Sequence, residues 1–156
     1  MRVHWFAAAA ALSLTAAGVA FAALPKNKAL AIMHDRHEGM EKIGDTNKLL
    51  RRELTSSAPF MPAVKSDAAT IAGLSRRASG WFPAGTGPEL GKTGAKPEIW
   101  KDPRGFSAKL AAFQKAAQLF NAAAAAGDLN AIKARYSDLN GACKACHDKY
   151  RMEMHH

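Results

Sequence analysis

The chain has 156 residues, which is long enough for one globular domain. Its composition, 48% hydrophobic and 22% charged, excludes disorder over the whole chain. Its two cysteines exclude a disulfide-dense mini-protein and a protein with several all-cysteine zinc sites. The net charge is +9, but lysines and arginines are scattered from Lys26 to Arg151 without a dense basic run, so we expect no nucleic-acid binding.

The first residues have the pattern of an export signal. Arg2 and His4 precede an apolar run over residues 5–20, and Ala20-Phe21-Ala22 offers a small-x-small cleavage site. An uncleaved anchor helix is the alternative, but the run is slightly shorter than the roughly 20 apolar residues that a spanning helix needs. We therefore predict a cleaved signal peptide over residues 1–22 and a mature domain over residues 23–156.

Two amphipathic helices are predicted next. The first begins between residues 25 and 28, since proline is tolerated in a first helical turn, and ends at residues 55–59. The second begins near Pro62 and ends at Ser79-Gly80. Apolar residues recur at helical spacing in both, namely Met33, Met40, Ile43, Leu50 and Leu54, then Val64, Ala68, Ile71, Leu74, Ala78 and Trp81.

Residues 80–105 hold six glycines and four prolines, a density that leaves no room for a regular element of useful length. This stretch is predicted to be a long ordered connection. Its large apolar side chains are expected to pack back onto the core, namely Trp81, Phe82, Ile99 and Trp100.

The last third of the chain predicts two more helices. The third spans about residues 106–126 and ends at Gly127, a candidate for the left-handed conformation, while Asp128 is a candidate N-cap for the fourth helix. The fourth carries an unbroken apolar stripe through Leu129, Ile132, Tyr136, Leu139, Cys143, Cys146 and Tyr150. Four amphipathic helices predict an all-α, antiparallel four-helix bundle.

The candidate cofactor-binding motif is Cys143-Lys144-Ala145-Cys146-His147, because C-x-x-C-H is the attachment signature of c-type haem. Residues three apart share a helix face, so both thiols could form thioethers with the vinyl groups of one porphyrin. His147, next to the second thioether, could bring an imidazole nitrogen under the iron. The bundle is therefore predicted to enclose one covalently bound haem c.

Three other uses of these cysteines compete with haem attachment. An i,i+3 pair within a helix is poorly placed for a relaxed disulfide, and a thioredoxin-like redox pair would need a βαβ context that is missing. A structural zinc site is the sharper alternative, because His34 and His37 are also three residues apart and could complete a His₂Cys₂ set with Cys143 and Cys146.

A four-helix protein with its haem motif near the C-terminus resembles the cytochrome c′ family, the class II c-type cytochromes. The resemblance covers nearly all of the mature chain. Its markers are Arg36-x-x-x-Met40-x-x-x-Gly44, Trp81-Phe82-Pro83, Lys96-Pro97-Glu98-Ile99-Trp100, Gly127-Asp128-Leu129, and the run from Cys143 to Arg151.

The resemblance also implies roles for residues of the first helix. Four positions after the arginine, gas-binding members carry a bulky hydrocarbon or aromatic residue, whereas low-spin members carry a ligating methionine; here the residue is Met40. Met40 is therefore expected as the second axial ligand, with Met33 or Met61 as alternatives. Arg36 corresponds to an arginine near a haem propionate, and His37 stands where a glutamine is common, so both are expected near the propionates.

The expected function is that of a mono-haem electron carrier rather than an enzyme, located in the periplasm of a Gram-negative bacterium. His/Met ligation raises the potential of haem iron into a range that suits electron transfer. The diffuse positive surface favours periplasmic or membrane redox partners with acidic docking surfaces, and the resemblance allows a monomer or a homodimer. The alternatives are a five-coordinate cytochrome c′ that binds or buffers nitric oxide and other gases, and a zinc-stabilised structural bundle.

Overall fold

The computed structural model describes residues 24–153, so the predicted signal peptide over residues 1–22 lies outside the described residues. Its α-helices are α1 (Lys26–Thr55), α2 (Met61–Arg77), α3 (Glu98–Lys101), α4 (Pro103–Ala126) and α5 (Leu129–Tyr150). The four long helices confirm the predicted all-α bundle. Within the described part of the chain, no helix combines the length and the apolar character needed to cross a bilayer.

The helices pack in chain order, α1 on α2, α2 on α4 and α4 on α5, whereas α1 and α5 are not a closely packed pair. Two short turns, residues 56–60 and 127–128, lie at one end of the bundle. We call the half beside these turns the turn end and the opposite half the cavity end. The turn end holds a fully buried apolar core that includes Leu50, Val64, Phe120 and Ile132, each 0% exposed.

The turn between α4 and α5 forms as its sequence predicts. Gly127 has φ +89°, in the left-handed region that favours glycine, and its N–H donates to the carbonyl of Ala123. The Asp128 carboxylate accepts hydrogen bonds from the backbone N–H groups of Asn130 (2.9 Å) and Ala131 (3.3 Å). The helix stop and the N-cap are both confirmed.

Two boundaries differ from the sequence prediction. Helix α4 begins at Pro103 rather than near Phe106, because the Asp102 carboxylate caps the N–H of Gly105 at 3.0 Å and Pro103 needs no partner in a first turn. The long connection also contains the single turn α3, which follows the helical φ of −56° at Pro97.

Trp81 and Ile99 are buried and Phe82 and Trp100 half-buried, so the predicted anchoring of the connection is confirmed.

Candidate cofactor site

A cavity of about 590 Å³ lies at the cavity end, between α1 and α5. That volume is within the range of small-molecule and cofactor pockets. Its floor includes the aromatic side chains of Phe106 and Phe113 from α4. Site residues predicted from the sequence line its two walls, namely Arg36, His37 and Met40 on α1 and Cys143, Cys146 and His147 on α5.

Cys143 and Cys146 are free, half-buried thiols one turn apart on α5. Burial, with a smaller contribution from Cys146, raises the pKa of Cys143 to about 11. Burial also raises the pKa of Cys146, although the positive charge of Lys109 opposes it. Both groups are therefore neutral thiols near pH 7, whereas metal ions bind the thiolate.

His147 lies on the same wall and presents a neutral imidazole. His147 is exposed, but the surrounding protein still partly desolvates its ring. This desolvation, followed by the positive charge of Arg151, lowers the pKa of His147, and Asp148 opposes the shift. A neutral imidazole keeps one ring nitrogen free to donate its lone pair to a metal. Arg151 lines the same cavity, and its backbone N–H donates to the carbonyl of His147 at 3.0 Å.

The three methionines predicted as candidate ligands separate into two groups. Met33 and Met40 both line the cavity from α1, and half-buried Met40 also packs against the apolar core. Met61 begins α2 at the turn end, where it packs against the core without reaching the cavity lining. The structure thus brings two of the three candidate methionine ligands to the cavity, and Met61 is not one of them.

Arg36 is 5% exposed, and its guanidinium ties α1 to the long connection. Nη1 donates to the carbonyl of Trp81 (3.0 Å) and to Thr86 Oγ1 (3.3 Å). Nη2 donates to the carbonyl of Thr86 (2.9 Å) and to Thr93 Oγ1 (3.0 Å). Burial lowers the pKa of Arg36, and Glu89 partly offsets this. Sequence reasoning missed this network, because nothing in a single sequence pairs an arginine with threonines 50 residues away.

His37 lies at the rim of the cavity, with a side chain that is 67% exposed. Its Nε2 is 3.8 Å from a carboxylate oxygen of Glu41, one turn further along α1. The predicted contacts of Arg36 and His37 with haem propionates stay predictions, supported so far by the position of both residues on the cavity wall.

The zinc alternative is wrong for the described residues. His34 is exposed and does not line the cavity, because it lies on a different face of α1 from Met33 and Arg36. The one group of three potential metal-ligating side chains found within residues 24–153 is His37, Glu38 and Glu41, which is exposed and contains no cysteine. The four residues of the proposed His₂Cys₂ set are therefore not brought together.

Polar contacts also join α1 and α5 across the inner end of the cavity. Asn47 Nδ2 donates to Asn140 Oδ1 at 2.9 Å, and the Tyr136 hydroxyl donates to the carbonyl of Asn47 at 3.0 Å. Asn140 Nδ2 in turn donates to the carbonyl of Tyr136 at 2.8 Å. Asn47 Oδ1 is buried and accepts no hydrogen bond from the described residues. These contacts close the gap between α1 and α5 about one turn before Cys143.

Hydrogen bonds to Asp102, which were not predicted from the sequence either, hold the C-terminal end of α5. The Asp102 carboxylate accepts hydrogen bonds from Lys149 Nζ at 2.7 Å and from the Tyr150 hydroxyl at 2.9 Å. The bond from Lys149, then those from Tyr150 and Gly105, lower the pKa of Asp102 to about 2. The Asp-Pro pair before the third predicted helix was the available signal, because it is a typical helix start.

The family model for cytochrome c′ matches residues 31–151. The chain belongs to the cytochrome c′ family. The cytochrome c′ of Alcaligenes xylosoxydans xylosoxydans is 42% identical over 95 residues, which are 60% of this chain and 72% of that protein.

Solved structures of the family are similar over most of the chain. A cytochrome c′ with a ligand-controlled dimer dissociation has a TM-score of 0.73 and 26% identity, covering 85% of this chain and all of that one. A nitric oxide complex of a point mutant of cytochrome c prime from Alcaligenes xylosoxidans has a TM-score of 0.72 and 29% identity, covering 83% of this chain and 97% of that one.

Cytochromes c′ bind one covalently attached haem c, and the residues of this cavity fit that group. Two thiols one turn apart and an adjacent neutral imidazole form one wall. Apolar side chains from α1, α2 and α4 supply the hydrophobic surroundings that a porphyrin requires, and these include Ile43, Ile71 and Leu110.

Proposed function

We propose that this cytochrome c′ binds nitric oxide or another diatomic gas at the iron of its haem c. The observation that carries the proposal is the asymmetry of the cavity. His147 on α5 would supply a nitrogen ligand, whereas α1 presents Met33, Met40 and Ile43 on the facing wall. Support also comes from the nitric oxide complex of the Alcaligenes xylosoxidans relative, which has the same fold.

Each part of the site has a separate task. Cys143 and Cys146 would hold the porphyrin by two thioethers, and His147 would be the axial ligand on that side. The apolar side chains of α1 would exclude water from the opposite side, where a neutral gas needs no charged partner. The positive charge of Arg36, with His37 at the rim, would attract the propionate carboxylates. Bound haem iron supplies gas-binding and one-electron redox chemistry.

A second function is supported by one residue. Met40 carries a thioether on the wall that faces His147, and a thioether is a competent soft ligand for iron. If Met40 occupies the sixth position, the protein is an electron carrier, because electrons can be exchanged without opening a coordination site. The two functions therefore differ in what the Met40 sulfur does.

One experiment separates them: absorption spectra of both oxidation states at neutral pH, for the wild type, Met40→Leu and the matched control Met33→Leu. Gas binding predicts a high-spin wild type that takes up carbon monoxide readily and changes little in Met40→Leu. Electron transfer predicts a low-spin wild type that binds carbon monoxide slowly and becomes high-spin in Met40→Leu alone. A protein without covalently bound haem, judged by a pyridine haemochrome assay, would contradict both.

We further propose that the protein is exported to the periplasm and is not an enzyme, and that acidic redox proteins are its partners if it serves as the electron carrier. Export rests on the signal pattern of residues 1–22 and on the haem motif. Docking to acidic partners rests on the net charge of +9. Mass spectrometry of the purified protein should find Ala23 as the first residue, and electron exchange with an acidic partner should slow as ionic strength rises.

A further inference from the structure

The two walls of the cavity are connected by a segment of the long connection, residues 93–96, which we call the strap. At its first residue, Thr93 Oγ1 accepts two hydrogen bonds. One comes from Arg36 Nη2 on α1 at 3.0 Å, and the other comes from the backbone N–H of Ala95 at 3.2 Å. Thr93 is half-buried and lines the cavity. The hydroxyl thus joins the strap to α1 and also fixes the local turn of the strap.

The other side of the strap is bonded to the end of α5. The N–H of Lys96 donates to the carbonyl of Tyr150 at 2.9 Å, and the N–H of Met152 donates to the carbonyl of Gly94 at 2.8 Å. These bonds form an isolated antiparallel bridge between Ala95 and Arg151. The strap is therefore bonded to the residues that immediately follow the last turn of α5.

That last turn contains His147. The carbonyl of His147 accepts the N–H of Arg151, which is itself the bridge partner of Ala95. A continuous series of hydrogen bonds therefore runs from Arg36 through Thr93 and the strap to the backbone of His147. Each bond in this series is between 2.8 and 3.2 Å long.

We propose that Thr93 is a positioning residue for His147. Through this series of hydrogen bonds, its hydroxyl restricts the position of the imidazole relative to the iron. The inference rests on the proposed role of His147 as the axial ligand. Removing the hydroxyl would leave two N–H donors without their acceptor, one on Arg36 and one on Ala95, and the strap would lose its attachment to α1. Arg36 would stay in place, because Trp81 and Thr86 hold it independently.

The test compares three variants of the haem-loaded protein with the wild type. Thr93→Val removes the hydroxyl at nearly constant volume, and Thr93→Ser keeps it. Thr70→Val is the matched control, because the Thr70 hydroxyl bonds only within α2, to the carbonyl of Ser66 at 3.0 Å. Two quantities are measured for each protein: amide hydrogen exchange at Lys96 and Met152, and the reduction potential together with the ferric absorption bands.

We expect Thr93→Val to accelerate exchange at both amides by about thirtyfold, the effect of losing two hydrogen bonds, and to shift the potential and the absorption bands. Thr93→Ser and Thr70→Val should match the wild type. Faster exchange with an unchanged iron signal would overturn the proposal, and so would unchanged exchange.

Two further measurements keep the proposal testable if Thr93→Val does not fold. In the wild type alone, Lys96 and Met152 should have the same protection factor, that is, the same ratio of intrinsic to observed exchange rate, because one bridge protects both. Unrelated protection factors would overturn the proposal. His147→Ala tests the underlying proposed function separately. An unchanged ferric spectrum in that variant would show that His147 is not the ligand, whatever the Thr93 variants do.

Discussion

The turn end and the cavity end of the bundle are built from different interactions. At the turn end, apolar side chains from all four long helices meet directly, and Leu50, Val64, Phe120 and Ile132 are fully buried. At the cavity end, α1 and α5 stand apart around about 590 Å³, and hydrogen bonds hold the surrounding segments. A site for a large cofactor thus needs a frame that does not depend on filling the space with side chains.

That division has a physical reason. Close packing makes a protein interior intolerant of voids, so apolar walls alone would collapse toward each other. Hydrogen bonds that Arg36 donates hold the long connection against α1, and those that Asp102 accepts hold the end of α5. The turn end would therefore supply most of the stability, and the cavity end would supply most of the geometry around the haem.

The largest expected effect is that of Phe120→Ala, which removes a ring that is 0% exposed from the turn end. The free energy of unfolding should fall by about 4 kcal/mol, while the haem absorption bands stay as in the wild type. Urea unfolding followed by circular dichroism measures the first quantity. Phe113→Ala is the matched control at the cavity wall, where the absorption bands should shift. Equal spectral changes in both variants would contradict the division between the two ends.

The next effect concerns the contact between α1 and the long connection. A Cβ at Gly39 would overlap with Cη2 and Cζ2 of the Trp81 indole, so Gly39→Ala should reduce the free energy of unfolding by about 3 kcal/mol. The control is Gly141→Ala in the interior of α5, which does not line the cavity and where a Cβ meets nothing within 4 Å. That substitution should stabilise the protein by up to about 1 kcal/mol through helix propensity. Similar thermal midpoints for the two variants would argue against the close approach at Gly39.

The sequence predicted the turn end better than the cavity end. Apolar residues at helical spacing, Gly127 and Asp128 are local signals, and each led to the helix or boundary that the structure contains. The C-x-x-C-H motif likewise predicted which wall carries the two cysteines and His147. The hydrogen bonds of Arg36 could not be predicted from the sequence, since its partners Trp81, Thr86 and Thr93 lie 45 to 57 residues away. Such pairing depends on the course of the long connection, which has no periodic pattern from which to predict it.

The smallest expected effect is a pH dependence at the end of α5. The pKa of Asp102 is about 2 in the folded protein, below the ordinary value of 3.8, so its carboxylate stabilises the fold most above pH 4. That contribution should be lost as the pH falls from about 4 toward 2. Asp102→Asn should flatten the acid side of the urea midpoint plotted against pH. Asp138→Asn, which disrupts a surface ion pair with Arg135, should keep the wild-type slope.

The separation of α1 from α5 also bears on the order in which the protein assembles. Helices α4 and α5 are joined by two residues and can pair early, whereas the Asn47–Asn140 contact closes a loop of 93 residues. We expect this seam to form last, leaving Cys143 and Cys146 accessible on a helix that is already formed. Later protection of the side-chain amides of Asn47 and Asn140 than of the backbone amides of α4 and α5, seen by pulsed amide exchange during refolding, would check this order. While the contact between Asn47 and Asn140 is unformed, the haem could reach both thiols before α1 and α5 come together around it.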